Sequence, residues 1–200
     1  FTIAEYRRLL ETALSRYSCL RFTDPVPEKG GLLWRHDLDF SVHRAVRLAR
    51  IESELGATGT YFVQISSMFY NVFEPEIREK LTKILTLGHD IGLHFYPGAH
   101  HKEGYDVSDR LLFETQVLER LLGIELKAVS LHNPDAVKDG GRFITEAGLI
   151  NAYDFLPGKG WGYCSDSNGY WRYDPLQKVL EEAPPQNLQV LTHPAWWQDE

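Results

Sequence analysis

The stretch Gly31-Leu32-Leu33-Trp34-Arg35-His36-Asp37-Leu38-Asp39 decides the fold. An apolar run that turns abruptly polar is the signature of a buried strand whose end reaches a functional loop. From Ser41 to Leu55 the period changes: Val42, Ala45, Val46 and Ala49 recur at i, i+3, i+4 and i+7, and Gly56 stands where a helix C-terminal glycine belongs. The unit then repeats. Gly59 to Val63 is rich in aromatic and β-branched residues and reads as a strand, and Pro75 to Leu87 reads as a helix opened by proline and closed by Gly88. Next come a strand at Asp90 to Phe95, a helix from about Ser108 to Leu122 stopped by Gly123, and a strand at Lys127 to His132. A short helix near Gly141 to Ala147, a weaker strand around Asn151 to Phe155 and a closing strand at Leu188 to Thr192 complete the pattern. Strands alternating with helices predict an α/β fold with a parallel sheet, barrel-like or doubly wound. The Gly/Trp/Ser-rich stretch from Pro157 to Gly169 reads as a functional loop.

No linker or tandem repeat interrupts this pattern, so residues 1 to 200 are expected to form a single catalytic domain. At 43% hydrophobic and 24% charged residues, the chain can bury an ordinary core. The formal net charge of -7 argues against nucleic acid, whose binders carry a basic surplus on one face. Cys19 and Cys164 are the only cysteines, too few for a disulfide framework or a CxxC metal knuckle. No stretch approaches the roughly eighteen uninterrupted apolar residues of a membrane span. The chain opens at Phe1, not at a methionine, so a removed leader stays open; the cytoplasm is the expected compartment.

Chemistry-bearing residues gather just past the predicted strand ends. Asp37 and Asp39 follow the first of these strands, His94 ends the third, His132 the fourth and His193 the last. In parallel α/β architectures the C-terminal strand ends share one face, so these residues are expected to meet. Asp37 and Asp39 are two apart and in extended backbone point the same way. Two adjacent carboxylates invite a divalent cation, and one carboxylate with two imidazoles leaves open positions of the kind a catalytic metal needs. Each residue also has an ordinary structural reading. The aspartates fit a helix cap, His94 a half-buried imidazole, His132 a loop residue before Pro134, and His193 a strand end before Pro194. For His43 and His89 the structural reading leads. Trp161, Tyr163, Trp171, Trp196 and Trp197 fit either packing or stacking on sugar rings.

Taken together, Arg35-His36-Asp37-Leu38-Asp39, Thr60-Tyr61-Phe62, Gly88-His89-Asp90-Ile91-Gly92-Leu93-His94 and Leu191-Thr192-His193-Pro194 resemble the motif series of the polysaccharide deacetylases, the NodB-homology group also known as carbohydrate esterase family 4. The order and spacing match from about residue 31 to residue 197, and the likeness is greatest to a divergent bacterial branch associated with surface polysaccharide and O-antigen biosynthesis. The resemblance implies a distorted (β/α) barrel that hydrolyses an acetyl group from a sugar amine or, less often, a sugar hydroxyl. It implies Asp37 as general base, Asp39 and His94 as ligands of a divalent metal, most simply zinc, and His193 as general acid. Where the family carries another histidine four residues after His94, this chain has Gly98.

His132 is the preferred replacement ligand, with His100 and His101 as alternatives. Because His132 also falls where the family places an arginine that orients the catalytic aspartate, a hydrogen bond to Asp37 is its other reading. Asp166, in Cys164-Ser165-Asp166-Ser167, is expected to support the catalytic histidine or the substrate, with Asn133 and Trp197 as further substrate contacts. The rival functions are hydrolysis of a formyl or other small sugar amide, and a non-catalytic carbohydrate-binding protein on the same scaffold.

Overall fold

A computed structural model describes residues 1–99, 106–134 and 141–199. Among them, eight strands form one parallel sheet: β1 (Ser18–Leu20), β2 (Gly31–Leu38), β3 (Thr60–Val63), β4 (Asp90–Phe95), β5 (Ala128–Leu131), β6 (Ile150–Asn151), β7 (Gly162–Ser165) and β8 (Leu188–Thr192). The order is β6-β5-β4-β3-β2-β8-β7, with β1 pairing the first half of the β2 edge that β3 continues. No ladder joins β6 to β7 among the described residues, so the sheet curls into an open, distorted (β/α) barrel. Its helices are α1 (Ile3–Arg16), α2 (Val42–Glu54), α3 (Pro75–Thr86), α4 (Val107–Leu122), α5 (Arg142–Glu146) and α6 (Leu176–Glu182). None is long and apolar enough to cross a membrane.

All eight residues of β2 are buried because both faces are covered. Strand alternation sorts them. Leu32, Trp34 and Leu38 pack outward in the clusters shared with the helices, whereas Leu33 joins Phe62, Ala128 and Trp161 on the barrel's inner side. Arg35 follows Leu33 inward, its guanidinium carbon 5.4 Å from the Phe62 ring centroid. Asp37 continues that row, so the same period that builds the core delivers its carboxylate to the inner mouth. His36 goes the other way: its Nε2 lies 2.8 Å from Glu52 on α2, and its Nδ1 lies 2.7 Å from Thr192 Oγ1. Glu52 also accepts hydrogen bonds from Tyr61 Oη at 2.8 Å and from Tyr6 Oη, so a buried carboxylate fastens α1 and α2 to the sheet. His36, although part of the motif, therefore serves the scaffold and not the cleft.

The predicted strands and helices from Gly31 to Leu131 appear with small shifts at their ends, and the closing strand holds its predicted bounds. Two expectations need correction. The stretch Pro157 to Gly169 contains β7, whose Gly162–Ser165 pairs with Leu188–Leu191 of β8, and is thus not loop throughout. The strand expected at Asn151 to Phe155 is only Ile150–Asn151, because the Asn151 side chain accepts from the Tyr153 amide at 3.0 Å and turns the chain into a 3-10 helix at Ala152–Asp154. Helix α1, unforeseen, carries Tyr6, Leu9, Leu10 and Ala13 as a buried stripe, with Thr2 capping the Glu5 amide.

Candidate active site

The C-terminal ends of β2, β4, β5 and β8 open on one cleft of about 1240 Å³, with Asp37, Asp39, His94, His132, Asn133 and His193 all in its wall. The strand-end argument therefore holds for every residue it placed there. Asp166 and Trp197 stand behind the wall.

Three donor groups converge. His94 Nε2 lies 3.0 Å from Asp39 Oδ1, His132 Nδ1 lies 3.3 Å from the same oxygen, and the two ring nitrogens are 3.1 Å apart. Asp39 Oδ1 is buried and makes no well-aligned hydrogen bond despite these neighbours. A proton on one imidazole would satisfy one of the three contacts, whereas a shared cation satisfies all of them. The spacing also suits zinc: bonds of about 2.0–2.2 Å in tetrahedral array put donors about 3.4 Å apart. Asp39, His94 and His132 thus fit a divalent metal and are the cluster among the described residues whose ligand atoms all lie within 4.8 Å of one another. Gly98 sits in the turn after β4, and β5 supplies the imidazole that its position lacks, with the His132 amide donating to Phe95 O at 2.7 Å. His100 and His101 lie outside the described residues.

The tautomer of His94 follows from its other nitrogen. Nδ1 lies 2.6 Å from Ser130 Oγ, and the Ser130 hydroxyl in turn donates to Asp37 Oδ1 at 3.2 Å. With the serine proton committed to the carboxylate, Nδ1–H donates to the serine oxygen, which leaves the Nε2 lone pair free for a metal.

Asp37 is held from the opposite side by Arg35, with Nε donating to Oδ1 at 2.9 Å and Nη2 to Oδ2 at 2.7 Å. Burial pushes the Asp37 carboxyl up, but the charge and hydrogen bonds of Arg35 outweigh it, and the net shift is downward. The alternative role for His132, bonding Asp37, is not what the geometry gives: its nearest carboxylate is Asp39, and Arg35 already orients Asp37. Arg35 is the residue that sequence reasoning passed over. Its signal was present, since a residue two before Asp37 on a strand shares its face.

His193 has its own partner. Its Nδ1 lies 2.6 Å from Asp166 Oδ1, its amide donates to both Asp166 oxygens at 2.9 and 3.1 Å, and Nε2 faces the cleft, 3.7 Å from Asp39 Oδ2. Burial alone disfavours the imidazolium, but the hydrogen bond and charge of Asp166, with Asp37 and Asp39 adding, raise the His193 pKa overall. Of the two roles expected for Asp166, the geometry selects support of the histidine. Trp197 is a correction: at 2% exposure it offers no face to a sugar, and its indole N–H donates to Asp166 Oδ2 at 2.9 Å. Trp196, its neighbour, is the tryptophan in the cleft wall. Asn133, with its backbone at φ 55°, sits in the cleft wall.

An open parallel barrel carrying these groups at its C-terminal mouth has the fold of the carbohydrate esterase family 4 polysaccharide deacetylases. Among solved structures, a family 4 carbohydrate esterase from Bacillus anthracis aligns over 95% of this chain and 79% of its own at 17% identity, TM-score 0.52. The Bc1960 peptidoglycan N-acetylglucosamine deacetylase aligns over 84% and 74% at 18% identity, TM-score 0.52. A family 4 pseudoenzyme from Bacillus anthracis aligns over 82% of this chain at 13% identity, TM-score 0.51, and the present chain spans only 54% of its length. No family model and no curated protein matches the sequence.

Proposed function

We propose that this chain is a metal-dependent hydrolase that removes the acetyl group of an N-acetylated, or less often O-acetylated, sugar in surface-polysaccharide or O-antigen biosynthesis. The observation that carries the reading is the division of labour in one cleft: a donor triad at Asp39, His94 and His132, an arginine-paired carboxylate at Asp37, and a carboxylate-paired imidazole at His193. A binding module has no use for a separate base and acid. The likeness to carbohydrate esterases supports the carbohydrate substrate, and the motif resemblance alone suggests the biosynthetic setting.

Asp39, His94 and His132 would hold the cation. A divalent metal there, with zinc best suited to two imidazoles and a carboxylate, supplies Lewis-acid charge that polarises the acyl carbonyl and lowers the pKa of water toward about 7. Asp37, kept ionised by Arg35, takes the proton of the attacking water. Its depressed pKa makes it a weak base, which would suit a water whose pKa a bound metal would lower. His193 protonates the departing nitrogen, a very poor leaving group otherwise, and Asp166 keeps that imidazole charged until the transfer.

Elemental analysis of the purified protein tests the first step. Near-stoichiometric zinc is expected in the wild type and is expected to be lost in Asp39→Ala, His94→Ala and His132→Ala; a wild type that takes up no divalent metal even in excess would remove the hydrolase reading. Acetate release from acetylated amino sugars tests the second. Asp37→Asn is expected to keep its metal and lose roughly a hundredfold in kcat, the scale of one positioned proton-transfer group. The same assay with formylated sugars separates deacetylation from deformylation.

A further inference from the structure

Resting on the deacetylase reading, we propose that Arg172 selects a sugar that carries an anionic group, a carboxylate or a phosphoryl oxygen, beside the acetylated position. Arg172 is the lysine or arginine in the cleft wall among the described residues. It is exposed, its guanidinium carbon lies 6.0 Å from the Tyr173 ring centroid, and no carboxylate among the described residues pairs with it, although the chain carries 28 acidic against 21 basic residues. The nearest acid in sequence, Asp174, is committed to Lys178 at 2.7 Å. The backbone under Arg172 is fixed, since its amide donates to the carbonyl of Ser165 at 2.9 Å, at the end of β7 and next to the aspartate that supports His193.

The cleft is therefore electrically two-sided. One wall carries Asp37, Asp39 and the imidazoles; the segment that follows β7 contributes Ser167, Asn168 and the Arg172 guanidinium, which has no carboxylate partner among the described residues. A neutral acetylated hexosamine fills the first wall's needs and leaves Arg172 without an anionic partner. An anionic sugar engages both, because a guanidinium meets carboxylate or phosphate oxygens in bidentate fashion. The volume allows it, being larger than the roughly 300–1,000 Å³ of most small-molecule sites.

The test uses three substrates: an N-acetylhexosamine, its 1-phosphate and the corresponding N-acetylhexosaminuronic acid. Acetate release and calorimetric binding are measured with wild type, Arg172→Ala and Arg172→Lys. One anionic sugar, phosphate or uronate, is expected to exceed the neutral sugar in kcat/KM roughly tenfold to a hundredfold, the span of a charge-assisted hydrogen bond. Arg172→Ala is expected to bring that ratio near one, and Arg172→Lys to restore part of it; the better arm identifies the source of the charge. A ratio that Arg172→Ala leaves unchanged, or binding indifferent to charge, overturns the assignment, as does a wild type that binds none of the three. If the anionic sugars bind, lose affinity in Arg172→Ala, and yet release no acetate, the deacetylase reading fails while the role of Arg172 stands.

Discussion

Replacing Arg35 by methionine is expected to cost about 3–5 kcal/mol of folding stability, because it strands a buried carboxylate without its cation. Arg35 has 0% exposure and Asp37 3%, so the pair is almost wholly removed from bulk water. The two parallel N–H···O bonds at 2.9 and 2.7 Å are what offsets their desolvation. The guanidinium carbon also lies 4.9 Å from the Tyr153 ring centroid, and Nη2 reaches Tyr153 Oη at 3.3 Å, contacts that methionine only partly replaces. Without Arg35, the burial that pushes the Asp37 carboxyl up meets less opposition, and its folded pKa is expected to rise.

The pH dependence has a definite sign. In the wild type the folded Asp37 pKa is depressed, so its contribution is present above the unfolded value of about 3.9 and is lost as pH falls through the folded pKa. The deficit of Arg35→Met is therefore largest near neutral pH and narrows on acidification. Urea titrations at pH 7 and below pH 4 measure both. Adding Asp37→Leu to Arg35→Met should recover part of the loss, since an apolar pair of similar bulk removes the stranded charge. Equal midpoints for Arg35→Met and wild type at pH 7 would mean the pair does not hold the barrel mouth.

Much of this arrangement was legible because one rule, alternation along a strand, sorts Leu33, Arg35, Asp37 and Asp39 onto the inner side and His36 onto the outer one. Parallel strands did the rest, bringing His94, His132 and His193 to the same mouth. What was not legible depended on pairing. Gly162-Tyr163-Cys164-Ser165 has no β-branched residue and becomes a strand through its ladder with β8, a contact no local pattern records. Trp197 reads as a sugar platform by type, and only its burial against Asp166 makes it a hydrogen-bond donor to a carboxylate. Helix α1 was a different kind of miss, since Thr2 and Glu5 at capping-box spacing ahead of an apolar stripe were in plain view.

Asp166→Asn is expected to lower kcat by about a hundredfold to ten-thousandfold while leaving bound metal in place. Among the described residues, the hydrogen-bond partners of the Asp166 carboxylate are all donors: the His193 amide, the His193 ring and the Trp197 indole. An asparagine must aim its NH2 group at one of them. Aimed at His193 Nδ1, it requires a lone pair there, moves the ring proton to Nε2 and removes the stabilising charge, so the imidazolium that the proposed reaction requires is scarce. Aimed at Trp197, it orphans a buried indole N–H at a cost of about 1–3 kcal/mol. The pH profile distinguishes loss of charge from mere loosening. With Asp166 present the folded His193 pKa is raised, so its stabilisation is complete below the unfolded value of about 6.5 and is lost as pH rises through the folded pKa. The alkaline limb of kcat should accordingly fall at lower pH in Asp166→Asn than in wild type. A variant with reduced kcat but an unmoved alkaline limb would make Asp166 a purely steric support and would assign the acid to another group.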